Sequence, residues 1–173
     1  LGRKRAGQLR YIFEYFAFTL LALMRLSVRH VSRRYDVVHV HNMPDFLVFA
    51  ALLPRLTGSK IVLDLHDPTP EVYMAKYSMG PEHPVVKVLR FLEKISIRYA
   101  HLVLTPNIAF RNLFIARGCP ENKIHIVMNS SDPGIFREIH AVGRVNADKS
   151  KSILRLMYHG TVVERHGLQT ALE

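Results

Sequence analysis

Residues 36–71 constrain the fold more than any other stretch, because two short apolar runs flank a segment of helix length. The runs Val37–His41 and 61–65 are rich in β-branched residues and do not alternate cleanly between apolar and polar residues. Such runs are typical of strands buried on both faces of a parallel sheet. The segment 44–56 between them is rich in Phe, Leu and Ala, so the stretch predicts a right-handed strand–helix–strand unit.

Local signals mark the ends of this predicted helix. Asn42 is expected as its N-cap, Pro44 falls in the first turn where a missing N–H is harmless, and Gly58 ends it. Polar residues collect at 41–45 and at 66–71, in each case after the end of a predicted strand. Open α/β sheets bind ligands just outside this edge, so the ligand site is expected there.

The rest of the chain continues the alternation of helix and strand. Helices are predicted at 9–34, 72–79, 83–99 and 107–117, and further strands at 101–105 and 123–128. This order predicts an α/β fold, with a Rossmann-like parallel sheet and helices on both faces, over residues 1–136. Residues 137–152 are polar without an apolar period and are interpreted as a linker, and residues 153–173 as the start of a second Rossmann-like domain.

Composition limits the class of protein. The chain has 173 residues, of which 49% are hydrophobic, so general disorder is not expected. Its single cysteine, Cys119, cannot form an internal disulfide, which favours a reducing, cytoplasmic location. The chain begins with Leu and ends in what resembles the opening of a helix, so we interpret it as a fragment of a longer protein.

The N-terminal region is strongly basic. Residues 1–35 hold eight Lys/Arg against one acid, Glu14. The apolar run 16–24 within the helix 9–34 is shorter than the roughly 20 residues that span a bilayer. Two interpretations remain: a helix packed on the sheet with its arginines in water, or a helix on an anionic membrane surface. Nucleic acid is not expected as a partner, because the aromatic residues lie in the apolar run.

Three motifs carry a resemblance to a known family. The first is DVVHVHNMPDF at 36–46 together with HDPTPE at 66–71, the second is NSSDPGIF at 129–136 and the third is YHGTVVERHGLQTALE at 158–173. In this order the motifs resemble retaining glycosyltransferases of the family 4 type, which have the GT-B fold of two Rossmann-like domains. Ser130 and Ser131 stand where the second motif of the family has Gly and Val.

The resemblance implies a hexosyltransferase-type enzyme. It would transfer a sugar from a nucleotide diphosphate sugar to a sugar or lipid-linked acceptor in cell-envelope polysaccharide or glycolipid synthesis. The anomeric configuration would be retained, and neither a cofactor nor a metal ion would be needed. The chain would carry an incomplete acceptor-side domain and the start of the donor-side domain, so alone it is expected to be inactive.

The resemblance also proposes site residues on the acceptor side. His66 matches the family histidine that faces the transferred sugar, and an imidazole can hydrogen-bond a hydroxyl group. Asp67 and Glu71 are candidates for orienting His66 or for binding acceptor hydroxyls. Asn42 and Asp45 are substrate-binding candidates too, with helix capping as the alternative.

On the donor side, Gly160 would let the backbone approach the diphosphate, and Arg165 matches a basic position that contacts it. His166 stands where the family often has Lys, so either Arg165 or His166 supplies the charge.

Two rival functions remain open. His39 and His41 are two residues apart on a predicted strand and so point to one face; with His66, Asp64 and Asp67 they suggest a metal-dependent hydrolase. The third class is a non-catalytic, membrane-docked binding module.

Overall fold

The computed structural model describes residues 8–132, 134–135, 157–162 and 167–172. The chain divides into two compact units, Leu1–Met128 and Asn129–Glu173. The predicted linker 137–152 and most of the predicted strand 153–158 lie outside the described residues. The domain boundaries proposed from the sequence therefore stay predictions.

A four-stranded sheet with the order β1-β2-β3-β4 forms the centre of the first unit. Its strands are β1 Val37–His41, β2 Lys60–Asp64, β3 Leu102–Thr105 and β4 Ile124–Ile126. Each strand pairs in parallel with the next. The predicted α/β class with a Rossmann-like parallel sheet is confirmed, although β2 lies one residue earlier than predicted.

Helices flank this sheet. They are α1 Gln8–Ser32, α2 Leu52–Leu56, α3 Thr69–Tyr77, α4 Pro84–Tyr99 and α5 Ile108–Ala116, and the second unit contains α6 Leu168–Leu172. Asn107 caps α5 as predicted, because its Oδ1 accepts a hydrogen bond of 2.8 Å from the N–H of Phe110. Helix α3 begins three residues before the predicted start, with Pro70 in its first turn.

Helix α1 packs on the connection between β1 and β2. Its one buried polar side chain among the described residues is His30, whose Nε2 lies 2.7 Å from Thr57 Oγ1. The Nδ1 atom of His30 accepts a hydrogen bond from the N–H of Tyr35. Over the part of the chain that the structure describes, no helix is long and apolar enough to cross a membrane.

The connection between β1 and β2 differs from the single helix predicted for 44–56. A 3₁₀ helix, Asp45–Ala51, leads into the short helix α2. The physical reason is Pro54, which has no N–H to donate to the carbonyl group of Ala50 and would clash with it in a continuous α-helix. The predicted N-cap is also wrong: Pro44 occupies that position, and no side chain caps the helix.

The core lies between the sheet and the helices. Ile61 and Leu63 of β2 are fully buried, as is Phe114 of α5. Strand β1 is less buried than predicted. Val37 and both strand histidines are exposed, and Val40 is its one buried residue. Within the described residues β1 pairs only with β2, so it forms an edge of the sheet.

Replacing Phe114 with Ala should lower the free energy of unfolding by about 3–5 kcal/mol, because a large side chain is removed from a closed core. Denaturant titration measures this loss as a lower midpoint. Phe91→Ala is the matched control, since Phe91 is 60% exposed and its removal should change stability by less than about 0.5 kcal/mol. Equal losses in the two variants would contradict the assigned core.

Candidate functional site

The carboxyl ends of β1 and β2 bring the predicted polar segments together. The strands are in register so that His41 lies beside Asp64, and the N–H of Asn42 donates to the carbonyl group of Asp64 at 2.9 Å. His66 follows β2 by two residues. Because both strands end at the same edge of a parallel sheet, the loops after them form one surface.

Three histidine side chains surround one carboxylate at this edge. Asp64 Oδ2 lies 3.3 Å from His39 Nε2, 3.2 Å from His41 Nδ1 and 3.3 Å from His66 Nε2. His41 Nδ1 and His66 Nε2 are 3.1 Å apart. The imidazoles are partly exposed, whereas Asp64 is largely buried beneath them. We call these four residues the histidine–aspartate cluster.

The side chain of Asn42 connects the loops after β1 and β2. Its Nδ2 donates to Asp45 Oδ1 at 3.0 Å and to the carbonyl group of Asp67 at 2.7 Å. Its Oδ1 accepts a hydrogen bond of 3.0 Å from the N–H of His66. The amide that was predicted to cap a helix therefore positions the backbone of His66.

Asp45 is buried below this connection. Its Oδ1 also accepts a hydrogen bond of 2.9 Å from Thr69 Oγ1 at the start of α3. Burial raises the pKa of the Asp45 carboxyl group, and the hydrogen bonds from Asn42 and Thr69 oppose that rise. Asp67, by contrast, has an exposed side chain. Binding of substrate by Asn42, Asp45 and Asp67 stays a prediction.

Glu71 points to an arginine and not to His66. Arg117 donates to both carboxylate oxygens of Glu71 and, through Nη1, to Glu93 Oε2 at 3.0 Å. Glu93 is 2% exposed, and its burial raises the pKa of its carboxyl group to about 7, against the opposing effect of Arg117. The ion group links α3, α4 and the end of α5, and the substrate-binding role of Glu71 stays a prediction.

Sequence reasoning missed the observed roles of two acidic residues, Asp64 and Glu93. Asp64 was considered only as a metal ligand, although it is the carboxylate that contacts His66. Glu93 was missed, but a signal was present: it lies between Val86 and Ile97 on the buried face of α4, where an acid needs a charged partner.

The donor-side candidates fall in the second unit. Gly160 is exposed, and a Cβ atom at this position would lie 2.8 Å from the hydroxyl oxygen of Tyr158. A side chain here would therefore force Tyr158 to move. Arg165 and His166 lie outside the described residues, so their role as phosphate ligands stays a prediction.

A parallel sheet with helices around it and polar residues at its carboxyl edge is typical of Rossmann-like, ligand-binding domains. The family model described as glycosyl transferase 4-like domain matches residues 2–130. The chain belongs to this glycosyltransferase family, and the hydrolase and non-catalytic alternatives have no support from it. No curated protein matches the chain significantly, and neither does any solved structure.

The raised pKa of Glu93 predicts a pH-dependent stability. Its carboxyl group should be protonated more readily in the folded chain, where the pKa is about 7, than in the unfolded chain, where it is near 4.5. The folded state then binds more protons between these values, and stability falls as pH rises through them. Glu93→Gln, which cannot titrate, should gain in melting temperature relative to the parent from pH 5 to pH 8.

Glu82→Gln serves as the control. A hydrogen bond from Lys87 lowers the pKa of the exposed Glu82 carboxyl group, so folding changes the protonation of this residue mainly below pH 5. Its melting temperature should follow that of the parent across the range. A constant difference between Glu93→Gln and the parent would contradict the raised pKa.

Proposed function

We propose that the protein transfers a hexose from a nucleotide diphosphate sugar to a sugar or lipid-linked acceptor, with retention of anomeric configuration. The pathway proposed is the synthesis of a cell-envelope polysaccharide or glycolipid. The observation that carries the proposal is the position of His66 at the carboxyl edge, within a chain of the glycosyltransferase family. Its imidazole is 38% exposed and accessible to a ligand.

His66 is proposed to hydrogen-bond a hydroxyl group of the transferred sugar. The neighbouring Asp64 carboxylate can orient the ring by accepting from Nε2, and Asn42 holds the backbone of His66 in place. Glycosyl transfer develops positive charge at the anomeric carbon, as in the oxocarbenium-like transition states of glycoside hydrolysis. The negative carboxylate of Asp64 behind His66 favours that positive charge. Because it also holds the imidazole ring, Asp64 is a positioning residue in this proposal.

Gly160, Arg165 and His166 are proposed to bind the donor diphosphate. A guanidinium group forms paired, charge-assisted hydrogen bonds with phosphate oxygens, and glycine permits close approach of the backbone. Basic side chains neutralise the diphosphate in this proposal, so the transfer itself requires no metal ion or other cofactor.

In the full-length protein, His66→Ala should lower kcat by on the order of a hundredfold or more, the scale for loss of one positioned polar group. Stability should change little, because the side chain is partly exposed at the end of a strand. Transfer of radiolabelled sugar to acceptor measures the rate. His125→Ala, which removes an exposed side chain of β4, should keep the parent rate. A rate within twofold of the parent for His66→Ala would contradict the catalytic role.

A peripheral position on the cytoplasmic face of an anionic membrane is proposed from the surface of α1. Exposed apolar side chains recur every three or four residues along one face of the helix: Phe13, Phe16, Leu20, Met24, Val28 and Val31. An exposed basic row runs beside it at four-residue spacing: Arg25, Arg29 and Arg33. This arrangement is typical of helices that lie in the interface of a bilayer.

The double variant Arg25→Gln, Arg29→Gln should bind vesicles with anionic lipid at least tenfold more weakly, since each basic residue contributes about 1 kcal/mol. Flotation with vesicles at low and high salt measures this. Lys87→Gln, Lys94→Gln removes the same charge from α4 and should retain parent binding. Equal binding of the parent to neutral and anionic vesicles would contradict the electrostatic contribution.

A further inference from the structure

Three atoms of the histidine–aspartate cluster form a nearly equilateral triangle. Its sides are 3.1 Å from His41 Nδ1 to His66 Nε2, 3.2 Å from His41 Nδ1 to Asp64 Oδ2 and 3.3 Å from His66 Nε2 to Asp64 Oδ2. Ligand atoms about 2.0–2.1 Å from a tetrahedral zinc ion lie about 3.3 Å from one another. The triangle therefore has the size of one face of a zinc coordination tetrahedron.

Hydrogen bonding alone leaves one side of this triangle unfavourable. If both nitrogens carry a proton and donate to Asp64, two N–H groups converge on one oxygen while their nitrogens are only 3.1 Å apart. If only one nitrogen carries a proton, the lone pair of the other faces the negative carboxylate oxygen. A cation at the centre favours a lone pair from all three atoms at once.

We propose that His39, His41, Asp64 and His66 bind one divalent transition-metal ion, with Zn²⁺ as the best match. His39 Nε2 lies 3.3 Å from the same Asp64 oxygen and within 4.8 Å of the donor atom of His41, so a small movement of its exposed side chain completes four ligands. Imidazole nitrogens suit zinc, whereas Mg²⁺ and Ca²⁺ favour sites made of oxygen atoms.

The surrounding structure positions these ligands before an ion binds. The register of β1 and β2 sets His41 beside Asp64, and the hydrogen bond from the N–H of His66 to Asn42 holds the third ligand. Asn42 is in turn bonded to the buried Asp45.

The bound ion inhibits sugar transfer, and this part of the inference rests on the proposed function. Zinc coordinates the His66 Nε2 atom that otherwise faces Asp64, and it neutralises the negative charge of that carboxylate. It also adds positive charge where the sugar itself becomes positive in the transition state. The bound ion is therefore inhibitory and takes no part in the transfer reaction itself.

Binding is tested on the full chain, freed of metal, by calorimetric titration with Zn²⁺ and by the visible spectrum of Co²⁺. One ion per chain and the intense absorption of tetrahedral Co²⁺ are expected. His39→Ala and His41→Ala should each weaken binding at least tenfold, and circular dichroism verifies their folding. His125→Ala, an exposed histidine outside the cluster, should retain parent affinity. Millimolar Mg²⁺ should not displace Zn²⁺.

Unchanged affinity in both His39→Ala and His41→Ala would overturn the site, as would displacement by Mg²⁺. Inhibition is tested separately on the full-length enzyme: Zn²⁺ should stop transfer, EDTA should restore it, and His39→Ala should need at least tenfold more Zn²⁺ for half-inhibition. Binding without inhibition would overturn the inhibitory role alone. Absence of transferase activity would refute the proposed function, while the binding result still decides the site.

Discussion

The side-chain amide of Asn42 joins the loop after β1 to the loop after β2, and these two loops form the carboxyl edge of the sheet around His66. Parallel strands are connected by crossovers, so no tight turn ties their carboxyl ends together. Here one amide makes three hydrogen bonds: two cross to the carbonyl group of Asp67 and the N–H of His66 in the loop after β2, and the third is to Asp45 in its own loop. Asp45 is buried, so losing that link would leave its carboxylate with one fewer partner and the loop of His66 without its anchor.

Asp64 gives this edge its chemical character. A carboxylate at the end of a central strand is costly to bury without partners. Three imidazole nitrogens lie 3.2–3.3 Å from Asp64 Oδ2 and supply polar contacts. The same four side chains are the ones proposed to orient His66 toward a sugar and to bind a transition-metal ion. If both proposals hold, catalysis and metal binding compete for the same atoms of His66 and Asp64.

A second charged group supports the helices that follow the site. Arg117 connects Glu71 at the start of α3 with Glu93 on the buried face of α4. The raised pKa of Glu93 indicates that desolvation of this carboxyl group outweighs its attraction to Arg117. Glu71, a substrate-binding candidate from its position in the motif, takes part in this ion group, and its binding role stays a prediction.

Local signals in the chain were sufficient for the parallel sheet, for the order of its strands and helices and for the edge that carries His66, because hydrophobic runs and caps act over a few residues. The 3₁₀ geometry before α2 could also have been read from Pro54. The partners of Asn42, Asp64 and Glu71 could not, because they depend on strand register and helix packing between residues distant in sequence. Only the tertiary structure decided which polar groups come together at the carboxyl edge and which bind one another elsewhere.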